Sequence, residues 1–375
     1  MAIAFPFVDV TIDTSGLLPV ATRAPGVLAI VGAAGAGTAN EPVVIDDVAE
    51  AGTAFGAATD LGRALTIAFL QDPAPSKIYG VRLNGTDWTA ALEAVEAADD
   101  VTFVALAGSP VRIGGAAGAN DPIVALKNHC ENQSAAGNKR IGVAAVDPAL
   151  ARSATYAADV VAGATPLKSD SGRMVMVAAR GATSGEVAAA AASAIAGQAP
   201  ATSMVLKKIR GFSIPLASQF APGEIKELSE DGIIPIIDPA LITGTSLHFA
   251  EGTTYSSDAT LKYIDIVTLL DDVEFKLKAS LIGMIGDARI TRTGLAAVVR
   301  RADGVLDQVR GSGAIDAYTI IVPVYDALVK PEAARSAGEA ALIVNTRAER
   351  LVDMTVIIVI GTAIHRLRVA LQPRF

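Results

Sequence analysis

The sequence predicts an α/β fold: an α/β body, a smaller C-terminal α+β domain, and an extended β-strand arm at each end. Three observations carry this. Between residues 27 and 237, short runs of β-formers alternate with helical patterns, the signature of a sheet covered by helices. From residue 259 the pattern changes to long helical stripes. At both ends the chain has period-2 alternation: Val8, Val10 and Ile12 first, then Val356, Ile358 and Ile360, and Leu367, Val369 and Leu371 last.

Residues 1–20 form the first arm, and 14–26 are a linker rich in Gly and Pro. The body, 21–255, opens with a buried strand at Val27–Val31 and a small-residue loop, 33–42. A short strand at Val43–Ile45 follows, then helical patterns at 47–55 and 60–71 split by Gly56. Next come a strand at Ile78–Leu83, a helix at 87–98 with Asp87 as N-cap, and a strand at Val101–Leu106. The alternation continues with helices at 121–133, 149–162, 184–196 and 222–231. Strands fall at Arg140–Ala145, Met174–Ala179 and Ile233–Ile237.

The C-terminal domain, 256–350, begins with a helix whose stripe is Tyr263, Val267, Leu270, Leu277, Leu281 and Met284, with Glu274 as odd member and Gly286 as its stop. Leu295, Val298, Ala302, Val305 and Val309 mark a second helix, and Ala317–Val322 a strand. Residues 331–350 read as either helix or extended chain. The last arm, 351–375, holds the densest β-former run of the sequence, broken by Gly361.

An open strand edge invites pairing, so strand-forming ends point to a subunit that lends strands to its neighbours. Burying Val8, Val10 and Ile12 does not offset the entropy of fixing the surrounding backbone. The first arm is therefore expected to order only when paired. Asp9 and Asp13 on one arm and Arg366 and Arg368 on the other are expected to match in charge. Gly16, Gly26 and Gly361, beside the arms, are the expected hinges.

The net charge of −8 argues against a nucleic-acid partner. It is uneven: residues 276–375 carry 14 basic and 9 acidic side chains, the rest 17 and 30. The basic set Lys276, Lys278, Arg289, Arg292, Arg300 and Arg301 reads as a contact to an acidic partner or as an ordinary solvated face. One cysteine, Cys130, rules out an internal disulfide. No basic residue precedes Arg23, so no secretory leader is expected, and no apolar run is long enough to insert in a membrane.

Catalytic and cofactor chemistry finds no constellation. The glycines of Gly32–Gly37 follow a strand, but as G-x-x-G-x-G with an extended segment after them, so the helix N-terminus that would hold a pyrophosphate is missing. His129, His248 and His365 lack metal-ligand spacing, and His129–Cys130 reads as a partly buried helix end. Asp271–Asp272 and Glu230–Asp231 read as solvated helix faces or helix-end effects, and His365 as an exposed strand residue. No catalytic residue, cofactor or metal is expected.

Several segments, in order, resemble the contractile tail sheath proteins of phages and phage-like injection particles. Arg23-Ala24-Pro25-Gly26 leading into Val27–Gly32 resembles the family's opening strand, followed by its small-residue loop and Glu41-Pro42-Val43-Val44-Ile45. Phe55-Gly56, a helix to Phe69, and Lys77-Ile78-Tyr79-Gly80-Val81-Arg82 come next. Glu227–Ile233, Leu306–Val322 and Ile364–Leu371 resemble later family segments, whereas 108–210 matches none. The aromatic-rich helix of the family's C-terminal domain is replaced by an acidic one at 263–275. The resemblance implies a non-enzymatic subunit of a virion tail or injection particle. It would assemble in the host cytoplasm as a helical polymer of stacked rings, and contract to drive a tube through an envelope. The body would lie outside, the C-terminal domain inside facing the tail tube, and the arms would complete neighbours' sheets. Tube, baseplate and tail terminator proteins would be its partners. An α/β nucleotide-binding enzyme using the Gly32–Gly37 loop, or another particle-forming structural protein, is the alternative.

Overall fold

The computed structural model describes residues 26–366. They divide into two compact units: 26–272 with 360–366, and 273–359. The division therefore falls after Asp272, later than the 255/256 boundary expected from sequence.

The body unit contains, in chain order, β1 (Val27–Gly32), β2 (Pro42–Ile45), α1 (Val48–Ala51), α2 (Asp60–Phe69), β3 (Lys77–Arg82), α3 (Trp88–Val95), β4 (Phe103–Leu106) and α4 (Asp121–Ala136). Then follow β5 (Ile141–Ala145), α5 (Tyr156–Ala164), β6 (Met174–Ala178), α6 (Val187–Ala196), β7 (Lys208–Ile209), α7 (Pro222–Asp231), β8 (Ile233–Ile237) and β9 (Leu247–Phe249). The division between the units lies within α8 (Ile264–Leu281).

The strands form one nine-stranded sheet in the order β2-β3-β1-β4-β5-β6-β8-β9-β7. From β3 to β8 every pairing is parallel, while β2, β9 and β7 add antiparallel ends. Alternate strand residues feed opposite cores. Leu28, Ile30, Val143, Val175 and Val177 lie on the face covered by α2 and α6. Ala29, Val31, Val104, Met174 and Met176 face α3, α4, α5 and α7. Parallel strands require this double cover, because crossovers place helices on both faces.

Local chemistry sets the helix ends. The Asp87 carboxylate accepts from the Ala90 amide at 3.0 Å and starts α3. Pro222 opens α7, where a missing N–H does no harm, and Gly232 at φ 92° closes it.

Helix α6 is buried at all ten positions. Alanines make this possible: small side chains let the helix fit between sheet and α2. Its hydroxyl at Ser193 donates to the Ala68 carbonyl at 2.7 Å. Gly26 packs against the end of α6; a Cβ there would stand 2.7 Å from the Ala196 carbonyl oxygen. That close approach accounts for a glycine at 26 without a hinge.

The second unit holds α9 (Arg292–Gly311), β10 (Ile315–Ile321), α10 (Pro323–Val329), α11 (Ala337–Glu349) and β11 (Thr355–Ile360), besides the C-terminal part of α8. Its core is small: Leu295, Val322, Val324, Ala327, Leu328 and Ile343. The buried stripe of α9 is Leu295, Ala302, Val305, Leu306 and Val309. Helix α11 settles the 331–350 ambiguity by a capping box, in which Ser336 and Glu339 satisfy each other's backbone amides.

Other expectations need correction. The long helix ends at Leu281, and a 3₁₀ turn, Ile282–Met284, precedes Gly286. Its buried residues are Ile264, Asp265, Val267, Leu269, Asp271, Asp272, Val273 and Ser280, with Tyr263 and Leu270 only half buried. The helix expected at 149–162 starts at Tyr156, and α10, β7 and β9 were not foreseen. Rather than simply leaving its domain, the Val356–Ile360 run pairs with β10 of its own chain. Among the described residues, no helix is long and apolar enough to cross a membrane.

Enlarging α6 tests the packing. Ala191→Leu is expected to destabilise the fold by about 1–3 kcal/mol through overpacking, measured as a shifted urea midpoint with unchanged slope; a neutral result would contradict the tight layer.

Candidate assembly surface

The loop after β1 is shaped by packing. Gly32 lies so close to Ala107 that a Cβ would stand 2.6 Å from its methyl group. The Gly35 amide donates to the Phe55 carbonyl at 3.1 Å, and the Arg82 guanidinium to the Gly37 carbonyl at 2.5 Å. The loop leads into β2, not a helix. Sheet order reverses at β1, and open α/β sheets bind ligands outside the strand C-termini at such a point. Here that region is already acidic. Asp60, at the start of α2, ion-pairs with Arg63, and the buried Glu186 accepts from the Gly108 amide at 3.1 Å. Arg63 comes within 3.8 Å of Glu186. Burial, with Asp60 adding to it, pushes the Glu186 carboxyl up to about 7 from its ordinary value near 4.5. The Gly108 amide, a donor that a phosphate would need, is already taken by Glu186.

His129 and Cys130 form no nucleophile–base pair. His129 Nε2 lies 2.8 Å from Arg140 Nη1; the guanidinium can only donate, so that nitrogen carries the lone pair. Arg140 is fully buried, and its Nη2 also donates to the Val95 and Ala98 carbonyls at 3.1 and 3.0 Å. Burial, then Arg140, holds His129 down to about 4, and burial pushes the Cys130 thiol up to about 12, where it is inert. Among the described residues, no group of three or more His, Cys, Asp or Glu is placed to hold a metal.

The exposed strand pair offers different chemistry. β10 and β11 form a sheet of two strands, so among the described residues each has an unpaired edge. Burial alternates along β11: Val356, Ile358 and Ile360 are half buried, whereas Ile357 and Val359 are each 51% exposed. More than half of the exposed large apolar side chains among the described residues fall in 273–359, including Ile282, Ile285 and Val344. That unit holds about a quarter of the described residues. Exposed apolar side chains are therefore over-represented in that unit.

The six basic candidates do not form one patch. Lys278 pairs with Glu274 at 2.5 Å, and Lys276 is half buried. Arg289, Arg292 and Arg300 are exposed, while Arg301 is half buried. On α9, Arg292 and Arg301 point to opposite flanks at about 100° per residue. Val8, Asp9, Val10, Ile12, Asp13, Gly16, Leu367, Arg368, Val369 and Leu371 lie outside the described residues; Gly361 is exposed.

Two readings of polar residues change. Asp271 and Asp272 are buried, and Arg173 grips Asp271 with two hydrogen bonds of 2.6 and 3.0 Å. His365 is half buried and outside any strand, with Nε2 2.9 Å from Ser203 Oγ. Arg366 pairs with Glu251 of its own chain at 2.9 Å. A sequence signal existed for Asp271, since a carboxylate facing along the Val267 stripe must find a partner.

No family model and no curated protein matches the chain. Solved structures do. A chain of the PVC sheath complex of an extracellular contractile injection system, in the contracted state, is similar with a TM-score of 0.69 and 13% identity, over 100% of this chain and 99% of that one. A chain of the contracted helical sheath of the anti-feeding prophage matches at 0.66 and 14%, over 100% of both. A sheath tail protein from Desulfitobacterium hafniense matches at 0.59 and 10%, over 85% of this chain and 93% of that one. The described chain thus has the fold of these sheath proteins.

Glu186 makes stability depend on pH. Its folded value lies above its unfolded one, so the stability it lends is complete below about 4.5 and is lost as pH rises through about 7. Glu186→Gln is expected to raise the melting temperature at pH 8 and leave it nearly unchanged at pH 4, as read by thermal melts at the two pH values.

Proposed function

We propose that this chain is the structural subunit of a contractile sheath. Copies polymerise helically around an inner tube and contract by rigid-body rearrangement, driving the tube through a target envelope. The observation that carries the reading is the end-to-end likeness to sheath chains of contracted assemblies, over 100% of both chains for the anti-feeding prophage. The open-edged pair β10–β11 and the apolar surface of 273–359 support it independently.

In this reading, neighbours' terminal strands add to the free edges of β10 and β11. Val8, Val10 and Ile12 come from one neighbour, and Leu367, Val369 and Leu371 from another. A two-stranded sheet is marginal by itself, and added strands supply both hydrogen bonds and cover for Ile357 and Val359. Asp9 and Asp13 face Arg366 and Arg368 in the assembled mesh. Gly361, exposed just beyond β11, absorbs the change of direction when subunits move. The exposed cations Arg289, Arg292 and Arg300 are the contacts to an acidic tube surface. Baseplate and terminator proteins would bind the two ends of the polymer. The acidic character of the strand C-termini at Asp60 and Glu186 disfavours the nucleotide-enzyme alternative.

Electron microscopy of the purified protein, alone and with its tube protein, tests this. Rods or hollow sheaths are expected. Closed shells would favour another particle-forming role, and small particles whose melting is raised by a nucleotide would favour the enzyme. The double variant Ile357→Lys with Val359→Lys is expected to keep the monomer's melting temperature within a few degrees while abolishing rods. Rods undiminished in that variant would remove the β10–β11 surface from the assembly.

A further inference from the structure

Beyond β11 the chain is part of the body unit. Residues 361–366 make neither helix nor strand, and side chains hold them. His365 Nε2 lies 2.9 Å from Ser203 Oγ, and its ring meets Tyr263 edge-on with centroids 5.0 Å apart. Arg366 Nη2 donates to Glu251 Oε1 at 2.9 Å. The Glu251 side chain is only 14% exposed and that of Arg366 is 82% exposed, so the anion is set into the body and the cation reaches it from outside. The anchor points come from separate stretches: Ser203 after α6, Glu251 after β9, and Tyr263 at the start of α8. Near them Asp265 is buried with Oδ1 unpartnered.

This contact has the marks of something reversible. Ile364, the one large apolar residue of the segment, is 83% exposed, so no apolar burial fixes the segment in place. A neutral hydrogen bond and an ion pair with an exposed cation are each weak. Yet both fall on consecutive residues inside Ile364–Leu371, the stretch read as the closing strand, and residues held in this way cannot pair along a neighbour's edge.

We propose that residues 361–366 are an intramolecular latch. In the free subunit, His365 and Arg366 hold the C-terminal tail on the socket formed by Ser203, Tyr263 and Glu251. The tail must leave that socket before it can pair with a neighbouring copy. The first statement stands on this contact alone; the second rests on the sheath reading. The latch lowers the supply of free tails in dilute solution and so slows premature polymerisation.

The test uses the full chain with Ser203→Ala and Glu251→Gln together, which leaves the tail sequence intact. Hydrogen exchange of peptides covering 360–375 is measured in dilute monomer, and the lag of rod formation by light scattering. Loss of two weak contacts is expected to speed tail exchange by roughly tenfold and to shorten the lag. Arg366→Ala, on the tail side and remote from the core, is expected to speed tail exchange as well and guards against misfolding of the double variant. Unchanged tail exchange in both variants overturns the latch. Faster exchange with a longer lag overturns the inhibitory role and assigns the socket to the polymer. If no variant and no wild-type sample forms rods, the sheath reading fails, and the exchange result alone still decides whether the tail is latched.

Discussion

Parallel strands must be covered on both faces, and the rest of this body follows from that requirement. The sheet from β3 to β8 is parallel throughout, so each connection crosses it and leaves a helix on one side or the other. The strands are consequently apolar at nearly every position: β1, β4, β5 and β6 are buried along their whole length. The antiparallel additions at the two ends then cap a sheet whose middle has no solvent face. Buried Arg180 is held by Glu224 through contacts of 2.6 and 3.1 Å and lies over the rings of Tyr156 and Phe220.

The second unit obeys a different constraint. Its core is a few side chains gathered around α9, α10 and α11, and its sheet has only two strands. Backbone groups along the outer edges of β10 and β11 have no strand beside them among the described residues. Such edges, rich in Ile and Val, are open to pairing with another strand. In the proposed sheath, the contrast between a closed body and an open second unit gives one part that keeps its shape and one part that shares it.

Sequence made most of the body legible because its signals are local. Pro222, Gly232 and the five apolar residues after it define α7 and β8 to the residue. Asp87 marks the start of α3 for the same reason. What stayed hidden depends on distant partners. Asp271 looked solvated because Arg173, 98 positions upstream, is invisible to a periodicity argument. Helix α10 went unassigned after the strand Ala317–Val322, although Pro323 at its first turn was a usable sign. His365 read as a strand residue because alternation around it was strong, and only a tertiary contact with Ser203 draws it out of that pattern. Of the assembly surface, the apolar run of β11 was readable, whereas its pairing with β10 and the scattering of the basic residues around α9 were not.

The alanine helix at the centre of the body has one more consequence. With every position of α6 buried and seven of its ten side chains alanines that have no rotamer to change, that layer has little slack. A push applied at one rim of the sheet is passed to the other with little absorbed as internal distortion. In the proposed sheath, stiffness of this kind lets identical blocks move in concert, since mechanical work goes into displacement instead of distortion within the block.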